Sequence, residues 1–87
     1  MTMFTHVTQV RHLDNYRLHL IFNTGDGGEV DLTDRLKGEV FSPLRDVELF
    51  ATATLDPIGK TVTWSNGADL APEYLLQLLK IQNQQAA

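Results

Sequence analysis

Three histidines, His6, His12 and His19, stand within the first twenty residues, and Asp31 and Asp34 follow close behind. A zinc or other transition-metal site needs such side chains to converge on one point with an acidic or thiolate partner. The histidines fall on two expected strands joined at Asp14-Asn15. A two-residue turn there sets Val10 opposite His19 and Arg17 opposite His12, so the rings do not converge and a solvent face is expected for them. Asp31 with Asp34 supplies too few oxygens for a calcium loop. Cysteine is absent, which removes thiolate ligands, disulfides and a cysteine nucleophile. Ser42 and Ser65 sit in cap and turn contexts without a glycine elbow. No catalytic residue, metal ligand or cofactor is therefore expected.

Thr24-Gly-Asp-Gly-Gly28 is rich in glycine but is not a phosphate loop. A Walker loop ends in Lys followed by Ser or Thr, a dinucleotide loop opens a helix, and Asp26 and Glu29 would repel phosphate. The glycines are expected to serve a tight turn. The remaining candidate is Trp64 with Asp69 and Glu73, in "TVTWSNGADLAPEYLLQLL" (61–79). Asn66-Gly67 signals a turn after a strand in which Val62 and Trp64 face one way. Trp64 is then expected in the core, Asp69 as the cap of a helix whose first turn holds Pro72. An enzymatic or small-molecule site around Trp64, Asp69 and Glu73 stands as the alternative.

The elements that position these residues follow from periodicity. Phe4–Leu13 and Tyr16–Asn23 are expected strands; the second places Tyr16, Leu18, Leu20 and Phe22 on one face, whereas the first has apolar residues every third position and calls for a bulge. Glu29–Thr33, with Val30 and Leu32 inward, completes a meander. A helical turn at Asp34–Lys37 and a helix from about Pro43 to Phe50 follow, with Leu44, Val47 and Phe50 inward and Arg45 and Asp46 on a solvated face. "ATATLD" and "TVTWS" flank "PIGK" as a second hairpin. The expected fold is a single α+β domain over 1–87, its small antiparallel sheet (meander plus hairpin) packed with a short middle helix and a C-terminal helix.

That last helix, Pro72 to about Asn83, carries Tyr74, Leu75, Leu76, Leu78, Leu79 and Ile81. At about 100° per residue five of them span about 160° and Leu76 lies beyond, more than the ~100° that one core face uses. Either the domain wraps around the helix, or part of it meets a partner or a second copy. Leu76, Leu79 and Ile81 form the candidate interaction surface.

The 87 residues carry seven Lys and Arg against eleven Asp and Glu, a formal charge of −4. The cations are scattered singly, so direct nucleic-acid binding is not expected. The N-terminal residues form no signal peptide and no window reaches the ~20 apolar residues of a membrane span, so a cytoplasmic protein without membrane contact is expected.

Three segments, "YRLHLIFNTGDGGEVDLTDRL", "GEVFSPLRDVELFATATLD" and "TVTWSNGADLAPEYL", taken in this order, resemble the bacterial domain of unknown function 2442. The resemblance runs from about Val7 to Leu76 and rests on Phe41, Leu44, Asp46, Phe50, Trp64, Asn66, Gly67, Asp69, Leu70, Pro72, Glu73 and Leu75; Leu76 stands where Tyr is common. It implies an α+β fold with no assigned activity, often encoded beside another small protein in the manner of a toxin and antitoxin, and in some relatives followed by a helix-turn-helix domain. This sequence closes at Ala87 without such a segment, so a regulatory role is expected to depend on a partner. The expectation is an interaction or regulatory module, with a structural self-associating module as a further alternative.

Overall fold

A computed structural model describes residues 4–84. Strands β1 (Val7–His12), β2 (Arg17–Phe22) and β3 (Gly27–Asp31) form an antiparallel meander in that order. In β2 the alternation expected from sequence holds, with Leu18, Leu20 and Phe22 buried. β1 bulges at Thr8, between the pairs Val7 to Phe22 and Gln9 to Ile21. The extra residue reconciles the three-residue spacing of its apolar side chains with a pleated strand.

The turn between β1 and β2 differs from expectation by one residue. Leu13 N–H donates to Arg17 O (3.1 Å) and Arg17 N–H to Asp14 O (2.9 Å), closing a three-residue loop with Asn15 in the left-handed region at φ 44°. His12 therefore pairs with Leu18, Arg11 with His19 and Val10 with Leu20. The physical reason is burial: a one-residue slip reverses which face each side chain takes. The observed register puts Val7 and Val10 on the face of Phe22 and Leu20. It also turns His12 inward, where its ring meets the edge of Phe50 at 5.8 Å between centroids.

The glycine-rich stretch is the β2–β3 turn, as expected: Gly25 has φ 91°, and Phe22 N–H donates to Asp26 O (2.9 Å). Gly28 has a second function. A Cβ there would stand 3.1 Å from Leu79 Cδ1, so the missing side chain lets the final helix, α2 (Pro72–Gln84), lie against β3. Leu75, Leu78 and Leu79 bury themselves in that contact. Gln82 finishes it with two bonds to Asp31, Oε1 accepting from the backbone N–H (2.8 Å) and Nε2 donating to the carbonyl (2.9 Å). The side-chain amide thus does at the edge of β3 what a neighbouring strand's peptide group would do.

The middle of the chain departs further. The expected turn at Asp34–Lys37 is a 3-10 turn at Thr33–Arg35, and the expected helix from Pro43 to Phe50 is two pieces, a 3-10 turn at Ser42–Arg45 and α1 at Val47–Phe50. Asp46 separates them with extended backbone (φ −72°, ψ 113°), and its Oδ1 accepts Glu48 N–H at 3.0 Å. A side-chain cap at this position outcompetes helix continuation. The break turns Val47 outward, contrary to expectation, while Leu44 and Phe50 are fully buried.

β4 (Thr54–Leu55) and β5 (Val62–Thr63) make the second hairpin, and β5 leads into Trp64. The indole is buried, its Nε1–H donates to Phe50 O at 2.9 Å, and its ring meets Phe50 and the edge of Phe41 at centroid distances of 5.7 and 6.4 Å. Asn66 secures the corner: its Oδ1 accepts Ala68 N–H (3.1 Å) and its Nδ2 donates to Val40 O (2.9 Å). Asp69 does not cap α2. Its backbone bridges Thr63 instead, Ala71 flanks the helix start, and Glu73 supplies the acidic charge of the first turn.

Trp64→Ala is expected to lower the unfolding free energy by about 3–5 kcal/mol. Trp64→Phe keeps most of the ring packing but removes the indole donor from the Phe50 carbonyl, which still accepts Ala53 N–H (3.2 Å), and should cost about 1 kcal/mol. Urea titration followed by far-UV circular dichroism measures both; a Trp64→Ala midpoint equal to wild type would refute the packing role.

Candidate functional site

Trp64, Asp69 and Glu73 do not converge as a chemical site. The indole N–H, the one polar group Trp64 could offer a ligand, is spent on Phe50 O inside the core. Asp69 and Glu73 are exposed, and among the described residues neither carboxylate has a hydrogen-bond partner that would orient it. The family-like motif is largely scaffold: Phe41, Phe50 and Trp64 stack, Asp46 caps α1, Asn66 ties its turn to Val40, and Gly67 takes φ 90°.

The histidines are likewise dispersed over local roles. His6 N–H donates to Asn23 Oδ1 (2.8 Å), His12 Nε2 lies 2.9 Å from Asn15 O, and His19 is paired with Arg11 and Glu29 across the sheet. Asp31 Oδ1 accepts from Thr33 N–H and its hydroxyl at 2.9 and 2.6 Å. Among the described residues no group of three or more His, Asp or Glu side chains is placed to hold a metal ion. No helix of the described residues is long and apolar enough to cross a membrane.

One surface concavity lies between β1 and the second hairpin, about 340 Å³, lined by His6, Val7, Thr8, Leu55, Asp56, Pro57 and Lys60. Its carboxylate is already engaged, since Asp56 Oδ1 accepts Ile58 N–H at 3.0 Å to hold the turn. Electrostatics elsewhere on the surface are local. Two bonds from Arg17 to Asp14 (2.7 and 2.9 Å) hold the Asp14 carboxyl below its ordinary range and raise the Arg17 guanidinium above its own.

The outward side of α2 is different. A shallow groove of about 320 Å³ is lined by Thr5, Glu73, Leu76, Gln77, Lys80 and Ile81. Helical geometry explains the arrangement: at about 100° per residue, Leu75, Leu78, Leu79 and Gln82 gather on the face toward the sheet, and Glu73, Gln77 and Lys80 form a stripe opposite. Leu76 flanks that stripe half-buried on one side, and Ile81 is 43% exposed on the other. Of the three residues expected on an interaction surface, Leu76 and Ile81 line this groove. Leu79 is corrected: it is 3% exposed, packed into the core at the place Gly28 leaves open. Apolar spacing alone does not single out Glu73, Gln77 and Lys80 as one polar stripe. Their four- and three-residue steps were nevertheless a readable signal.

Residues 7–80 match the model of a protein family of unknown function, DUF2442. No curated protein matches the sequence. Among solved structures, a crystal structure from Nitrosomonas europaea ATCC 19718, described as a candidate DNA-binding protein, is similar with a TM-score of 0.81 and 29% identity. The similarity covers 93% of this chain and 52% of that one, so the chain spans about half of its neighbour's length. This neighbour corrects the expectation of no direct nucleic-acid binding. The low charge and scattered cations describe the average surface of this chain, and an average does not report on local contacts or on the assembly in which a fold is used.

The two sides of α2 should respond differently to charge. Leu79→Glu places a carboxylate in the core and is expected to cost more than about 3 kcal/mol, whereas Ile81→Glu should stay within about 0.5 kcal/mol of wild type. Chemical denaturation of the two variants in parallel measures the contrast; equal losses would mean that Ile81 is also core.

Proposed function

We propose that this chain, which belongs to the DUF2442 family of proteins of unknown function, is a regulatory module that works through protein contacts on the outward face of α2 in a DNA-binding setting. The observation that carries the reading is the division of labour on that helix. Leu75, Leu78 and Leu79 satisfy the core, yet Leu76 and Ile81 still border a groove that the described residues leave open. Exposed aliphatic side chains rimmed by charged ones are a common composition for contact surfaces.

Two further observations support it. The motif shared with the family is occupied by packing and capping, which leaves the Trp64, Asp69 and Glu73 neighbourhood without an oriented polar constellation and weighs against the enzymatic reading. The Nitrosomonas europaea neighbour, with its description as a candidate DNA-binding protein, supports the setting.

The test is purification of tagged protein from cross-linked cells of the native host, with associated DNA sequenced from the same material. Wild type should hold a protein companion and enrich discrete DNA sites. The Leu76→Glu, Ile81→Glu double variant should lose the companion; because Leu76 also packs against the core, the single Ile81→Glu variant, which should keep its melting temperature within a few degrees, should weaken the companion in the same direction. A wild type with neither companion nor DNA enrichment, or a companion indifferent to the double variant, would overturn the proposal.

A further inference from the structure

The outward face of α2 is complementary to itself. Glu73 and Lys80 lie two turns apart, about 10.5 Å along the axis, with Gln77 between them on one stripe. Both are exposed. The ion pairs of the described residues are both made by Arg17, to Asp14 and Glu29, so neither Glu73 nor Lys80 is engaged within its own chain. A twofold axis passing between Leu76 and Gln77 relates each residue of one helix to the residue equally far along the other, running the opposite way. Glu73 then faces the partner's Lys80, and Lys80 faces the partner's Glu73. An isologous contact requires this kind of self-matching, in which one patch serves as both halves.

We infer that a second copy of this chain covers the groove, with the two α2 helices packed antiparallel and a Glu73–Lys80 pair closing each end. The inference rests on the outward face of α2 being the contact surface, and names what occupies it. Leu76, with the methylene stem of Lys80, supplies apolar area between the paired charges, and Ile81 adds to it just beyond each pair. Antiparallel helices also oppose their macrodipoles favourably. The balanced charge of the stripe sets register and orientation, as charged flanking positions do in paired helices. A contact along one face of two 13-residue helices lies at the small end of specific interfaces, below about 1,200 Å² in total. The association is accordingly reversible and follows concentration.

Charge exchange tests the register. Sedimentation equilibrium from about 10 µM to about 1 mM at low salt should show monomer and dimer for wild type. Glu73→Lys alone, or Lys80→Glu alone, sets like charges face to face at both ends and should weaken the dimer about tenfold or more. The double exchange restores both pairs and should return to within about threefold of wild type. An equal mixture of the two single variants should form a mixed dimer, because one chain then presents a cation at both positions of the stripe and the other a carboxylate at both. Circular dichroism should show unchanged helix in every variant, since these side chains are exposed. A wild type that is monomeric throughout, or a dimer indifferent to the single exchanges, overturns the inference. If that happens while Leu76→Glu with Ile81→Glu still strips the companion in cells, the face remains a contact surface and the second copy is excluded as its occupant.

Discussion

The hydrogen bond from the Trp64 indole to the Phe50 carbonyl, with the rings packed around it, is the interaction on which the rest of the structure depends. A chain of this length buries too little surface to tolerate a loose centre. Trp64 follows β5, Phe50 ends α1, and Phe41 belongs to the segment between the meander and α1, so three parts of the chain separated in sequence meet at one indole. Tyr16, from the first hairpin, meets the other side of Phe50 edge-on at 5.5 Å and donates its hydroxyl to the Arg45 carbonyl. The meander and the Trp64 corner are thereby joined through one phenylalanine.

Around that centre the polar groups are used economically. Asp46 caps α1, Asn66 holds both its own turn and the Val40 carbonyl, Thr61 donates to the Leu70 carbonyl, and Gln82 completes the edge of β3. Each satisfies a backbone group that an irregular segment would otherwise leave unpaired. The cost of that economy is chemical: side chains spent on the backbone are not free to act on a ligand. Exposed polar side chains without such a commitment include Asp69 and, on the outward stripe of α2, Glu73, Gln77 and Lys80.

α2 presents two distinct faces with one amphipathic pattern. Its inner face depends on a residue far away in sequence, Gly28, whose missing side chain admits Leu79. The outer face depends on the helix's own spacing. A change at Gly28 would disturb the fold, whereas a change at Ile81 would fall on the lining of the outer groove, although both residues belong to the same region of the molecule.

The local pattern was enough to determine the meander, the bulge in β1, the Asn66-Gly67 turn, the inward Trp64 and the α2 span, because alternation, turn chemistry and the 3.6-residue repeat are properties of neighbouring residues. The exclusion of direct nucleic-acid binding, which rested on net charge and on cations scattered singly along the chain, is the one corrected by the Nitrosomonas europaea neighbour. Three other matters were decided by tertiary packing. The β1–β2 register was set by burying Val10 opposite Leu20, which overrode the shorter turn that Asp14-Asn15 suggested. The break at Asp46 arose because the side chain could cap a second short helix while Leu44 and Phe50 both reached the core. Which apolar residues of α2 remained outside depended on where β3 offered room: Leu79 found it at Gly28, and Ile81 did not, since burial is settled by what lies across from a side chain and not by the side chain alone.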